Sequence, residues 1–76
     1  MEKHLSELHP GEKAIIKTIA EGPFRSKLIE MGCFAGEEVS VSKVAPLGCP
    51  FAIYVSGYEL SLRKNEAYQI MVDTVN

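Results

Sequence analysis

Few side chains in this 76-residue chain are suited to chemistry. Cys33 and Cys49 are its only cysteines, and His4 and His9 its only histidines. Thiolate and imidazole suit iron, zinc or another divalent transition metal, so Cys33 and Cys49, helped by His4 or His9, are the residues that invite a metal assignment. Their spacing argues against one. There is no CxxC pair and no HxxxH, so a closed four-ligand site would need residues scattered along the chain. The plainer reading of both cysteines is a small reduced residue packed in or near a turn. No resident cofactor is expected, and transient ferrous iron or another divalent metal is the one class left open.

Catalysis fares no better. There is no phosphate-cradling glycine loop and no pair of carboxylates in a recognisable frame, and both histidines fall in what reads as a tail, so no enzyme is expected. What remains is surface for binding. Arg25 and Lys27 on one polar helix face, with Arg63 and Lys64 further on, form a candidate cationic patch for an acidic partner. Leu47, Phe51 and Tyr54 form a competing apolar interface, with Leu47 in a loop where an exposed side chain acts as a docking knob.

These residues must be held by short elements. Glu12 to Ala20, after the Pro10-Gly11 turn, is rich in isoleucine and threonine and reads as a first strand. Adjacent Ile15-Ile16 breaks strict alternation, which predicts a bulge or a strand covered on both faces. From Pro23 to Gly32, Phe24, Leu28 and Met31 share one helical face at i, i+4 and i+7. Proline suits the start of that short helix and Gly32 its end. Val39 and Val41, with Lys43, then alternate with serines in a half-buried strand. After the loop Pro46 to Pro50, Phe51, Ile53 and Val55 face Tyr58, Leu60 and Leu62 across a tight Ser56-Gly57 turn. Arg63 to Ala67 reads as a single helical turn, and Tyr68, Ile70 and Val72 as a fifth strand. Leu5 and Leu8 either plug an open barrel end or belong to a frayed start. Gly11, Gly32, Gly36, Gly48 and Gly57 each stand at a turn and read as backbone devices.

The result is a mainly β chain: a small five-stranded barrel with one short helix after the first strand, forming a single domain over residues 1–76. Hydrophobic residues make up 46% and charged residues 24%, ordinary for a folded domain. The net charge of -2 counts against gripping nucleic acid or anionic lipid, because both require a cationic surface. Phe51 to Val55, among the longest apolar runs, is far too short to span a bilayer, and no apolar signal core follows the start, so a cytoplasmic location with reduced cysteines is expected. Open strand edges make self-association possible.

Several segments resemble the FeoA family. They are the Pro-Gly pair before the first strand, the helix ending in Leu28-Ile29-Glu30-Met31-Gly32, and Gly36 before Val39. Ala45-Pro46-Leu47-Gly48-Cys49-Pro50 is similar to that family's Ala-Pro-Leu-Gly-Asp-Pro loop. Gly57-Tyr58-Glu59-Leu60-Ser61-Leu62-Arg63-Lys64 and Glu66-Ala67 follow in order. The resemblance runs from about Leu5 to Val72, and Cys49 departs from it by replacing the usual aspartate. It implies an SH3-like barrel in the cytoplasm that binds and modulates a FeoB-type ferrous-iron permease, which carries its own G-domain. The chain would then reach the membrane only through the permease's cytoplasmic portion. A second reading is a metal-sensing or metal-carrying regulatory domain, because related barrels form the C-terminal domains of metal-dependent repressors. This chain has no helix-turn-helix with which to bind DNA.

Overall fold

A computed structural model describes residues 2–74. Its strands are β1 (Glu2–His4), β2 (Lys13–Ile19), β3 (Glu38–Val44), β4 (Phe51–Val55), β5 (Tyr58–Leu62) and β6 (Ile70–Thr74). Two short helices join them, α1 (Arg25–Glu30) and α2 (Lys64–Tyr68), together with a 3₁₀ turn at Leu5–Glu7. All strands belong to one six-stranded antiparallel sheet in the order β1-β6-β2-β3-β4-β5. Among the described residues no helix is long and apolar enough to cross a membrane.

The extra strand comes from the segment read as a plug or a frayed start. Glu2, Lys3 and His4 pair with Asp73, Val72 and Met71 of β6, and Leu5 and Leu8 behind them are buried. Pairing with the far end of the chain orders this segment, an interaction that no local pattern announces.

The β4–β5 hairpin follows from its turn. Ser56 and Gly57 both take positive φ, at 53° and 86°, the conformation of a two-residue loop whose twist matches the strands. Val55 therefore faces Tyr58, Ile53 faces Leu60 and Phe51 faces Leu62, the register that the alternation implies. Register shifts between Ile16 and Thr18 in β2 and between Val41 and Lys43 in β3 bend the sheet. The first lies just after Ile15-Ile16: Ala14 and Ile16 point inward, Lys17 is the extra residue, and Ile19 re-enters the core.

Helix α1 packs its apolar stripe onto the barrel, with Leu28 fully buried and Phe24 and Met31 partly so. It starts later than the sequence suggests, because Pro23 and Phe24 form the turn before it. Its end is a Schellman motif. Gly32, at φ +98°, donates to the Ile29 carbonyl at 3.0 Å and Cys33 donates to the Leu28 carbonyl at 2.9 Å. Cys33 and Leu28 then meet in the core. Helix α2 is longer than one turn and takes in Tyr68, which is half exposed, so β6 begins at Ile70.

Candidate partner-binding surface

The fold divides the cationic candidates. Arg25 opens α1, and its guanidinium donates to the Ile19 carbonyl at the end of β2. It lines a small cleft with Lys17, Ile29 and Phe34. Lys27, two residues further along α1, donates to Glu66 Oε2 in α2 at 2.8 Å. Glu66 is only 4% exposed, and its other oxygen accepts the Arg63 backbone N–H at 2.8 Å. That backbone hydrogen bond, then Lys27, holds the Glu66 carboxyl below the usual carboxylate range. Lys27 is therefore a strut between the two helices, and reversing its charge would weaken the fold as well as any contact. Arg63 and Lys64 are exposed where β5 passes into α2.

The apolar candidates also separate. Phe51, expected at an interface, is a core residue at 2% exposure, because its position in β4 faces Leu62 on the inner side of the barrel. Tyr54 points the other way and is half exposed, beside Lys13, Glu38 and Ser40. Leu47 stands apart at 93% exposure.

Leu47 does not hang on a loose loop. Gly48 donates to the Ala45 carbonyl at 2.8 Å, Ala45 donates to the Pro50 carbonyl at 3.2 Å, and the Lys64 N–H meets Cys49 Sγ at 3.1 Å. Gly48 suits this position because its backbone is left-handed and it leaves room for the Lys64 side chain. Its φ is +89°, and a Cβ would stand 3.0 Å from the Lys64 methylene Cδ that lies across it. Between this loop and the segment Ser6 to Pro10 lies a cleft of about 470 Å³, with Leu8, Val44 and Phe51 on its apolar side and Glu7, His9 and Lys64 as its ionisable groups. An apolar knob on a fixed loop beside a mixed cleft is equipped for recognition by surface complementarity.

Three groups of contacts were not legible beforehand. The hairpin tip secures the end of α1 and the approach to β3: Tyr58 Oη donates to the Met31 carbonyl, and Ser56 Oγ donates to Glu37 Oε1 at 2.8 Å. His4, read as tail, stacks on Tyr68 with centroids 4.0 Å apart and bonds the Tyr68 carbonyl through Nδ1 at 2.6 Å. Glu66 carries the only sequence signal among them, a glutamate at the third position of a helix, where it reaches back to the preceding N–H.

The cysteines play different parts. Cys33 is buried and its thiol is pushed up to about 11 by burial, which disfavours the thiolate that would bind metal or attack. Cys49 is exposed. Among the described residues no three His, Cys, Asp or Glu side chains gather as a metal site.

The FeoA domain family model matches residues 3–74. A Porphyromonas gingivalis protein, a fusion of Fe(2+) transport protein A and the Fe(2+) transporter FeoB, is 37% identical over 73 residues, covering 95% of this chain. The chain spans 9% of that fusion protein. A FeoA-like protein from Clostridium acetobutylicum superimposes with a TM-score of 0.92 at 36% identity, covering 99% of this chain and 88% of its own. Stenotrophomonas maltophilia FeoA, a prokaryotic SH3 domain protein solved with zinc, gives 0.80 at 29% identity, covering 96% and 89%. A manganese-dependent transcriptional repressor shares the fold alone, with a TM-score of 0.88 at 12% identity over 97% of this chain and 42% of its own. The chain belongs to the FeoA family, which acts in ferrous iron transport, and its barrel is SH3-like.

Proposed function

We propose that this FeoA-domain chain is a cytoplasmic, non-enzymatic accessory module that binds the cytoplasmic portion of a FeoB-type ferrous-iron permease and modulates it. The observation that carries this reading is Leu47, 93% exposed at the tip of a hydrogen-bonded loop. A leucine held in water on a fixed frame loses little further conformational freedom on docking, so burying it yields most of its transfer free energy. Lys64, lining the same cleft, supplies a cation for an acidic group at the rim. The fused relative supports the choice of partner, because fusion keeps two modules at high effective concentration.

Calorimetric titration of the chain with the cytoplasmic portion of its permease, with and without guanine nucleotide, tests the reading. A parallel anaerobic titration with ferrous iron distinguishes a binding module from a metal carrier. Binding should occur without stoichiometric iron uptake, and Leu47→Asp should weaken it by roughly tenfold or more while leaving the melting temperature unchanged. Tight iron binding with no permease contact would overturn the proposal.

A further inference from the structure

The two edges of the sheet are built differently. β1 has three residues, two of them the charged Glu2 and Lys3, and the chain turns straight into the 3₁₀ helix. Short length and charge are the usual protections of an edge. β5 has five residues and a single charge, Glu59. Its neighbours Tyr58, 44% exposed, and Leu60, partly buried, leave apolar surface beside the edge.

The turn dictates which backbone groups β5 leaves open. In a two-residue hairpin the residues flanking the turn form a hydrogen-bonded pair, so Val55–Tyr58, Ile53–Leu60 and Phe51–Leu62 exchange bonds. The N–H and C=O groups of Glu59 and Ser61 then point away from β4. Among the described residues no other strand pairs with β5 and no hydrogen bond reaches these groups. Unpaired backbone groups of this kind face water.

We propose that two copies of this chain associate through β5, edge to edge and antiparallel, about a twofold axis at Leu60. In that register Glu59 of each copy lies opposite Ser61 of the other, and the open N–H and C=O groups on both edges all find partners. Sliding by two residues one way sets the two Glu59 carboxylates directly opposite, which is repulsive. Sliding the other way requires the Arg63 N–H, already bound to Glu66. The charge pattern and the hydrogen-bond pattern therefore select the same register. Leu60 meets its own copy at the axis and Tyr58 lies over the partner's strand end, covering the apolar surface beside the edge. Two strands of this length bury little area, so the dimer is weak and reversible.

Sedimentation velocity across a concentration series, with amide hydrogen exchange at each concentration, tests this on the intact chain. Dimer should form at high concentration with new protection at Glu59 and Ser61. Ser61→Arg places a cation opposite the partner's Glu59 and should tighten association roughly three- to tenfold, whereas Ser61→Glu should loosen it by a similar factor. Ser61→Pro removes an outward N–H and should abolish it. A chain that stays monomeric throughout, a dimer indifferent to charge at position 61, or edge amides protected only when permease fragment is added would each overturn the proposal. The last outcome would assign the edge to a strand of the partner.

Discussion

Around α1 the side chains of Arg25, Lys27 and Tyr58 are already tied into the fold, whereas the loop from Ala45 to Pro50 is held by its backbone and leaves its largest side chain in water. Arg25 caps a strand carbonyl, Lys27 pairs with Glu66, Tyr58 fastens the end of α1 and Ser56 holds Glu37 at the approach to β3. Leu47 contributes to none of this. The contrast shows that residue type alone does not mark an interface in a domain this small. Arg25 and Lys27 serve as struts because helices of five and six residues are not stable alone.

Substitutions that target one side should therefore move stability, and those on the other should move binding. Gly32→Val is expected to have the largest effect. It forces a β-branched residue to positive φ and drives its Cβ to 3.0 Å from Tyr58 Oη and 3.2 Å from Ser56 Oγ. Thermal unfolding should show a loss of about 2 to 3 kcal/mol, and an unchanged melting temperature would refute the role given to this helix end. Glu66→Ala should follow at about 1 to 3 kcal/mol, since it strands the Arg63 N–H and removes the partner of Lys27.

The same carboxylate gives the helix side a pH signature. Its folded pKa lies below the unfolded value, so its stabilisation is fully present above the ordinary carboxylate range and is lost as pH falls through the folded pKa. Denaturant midpoints for Glu66→Gln should show a smaller loss on acidification than the parent chain. Equal slopes would mean that other carboxylates carry the acid response. Lys27→Ala should cost less than about 1 kcal/mol, because the lysine side chain is 60% exposed. Leu47→Ala closes the series with a stability change within about 0.5 kcal/mol, measured by denaturant titration, despite its effect on binding. A larger loss would mean that Leu47 supports the barrel and would erase the contrast.

What could be read in advance was what local spacing determines. Alternation in Phe51–Val55 and Tyr58–Leu62 with two residues between them leaves one sensible register, and Phe24, Leu28 and Met31 share a helical face whatever they pack against. The positive φ of Gly11, Gly32, Gly36, Gly48 and Gly57 follows the same logic. The rest depends on partners distant in sequence. Leu5 is buried because β1 pairs with β6, Phe51 because its inward face closes the barrel, and Lys27 finds Glu66 only once both helices are docked. Tyr68 alternates correctly with Ile70 and Val72 yet belongs to α2, whose last turn closes with the Gln69 N–H on the Glu66 carbonyl. The loop at Leu47 is legible from its own Pro and Gly residues, and only the exposure of its side chain in the fold separates it from Phe51 and Tyr54.

The pairing of Glu2 with Asp73 has one more consequence. It sets the start and the finish of the described fold side by side on adjacent strands, so a tether leaving from either terminus departs from the same corner of the barrel. A neighbouring module joined before residue 2 or after residue 74 would be tethered to that one corner. The order in which modules are strung along a polypeptide then leaves the corner of attachment unaltered, and a circularly permuted barrel with joined ends should keep its sheet.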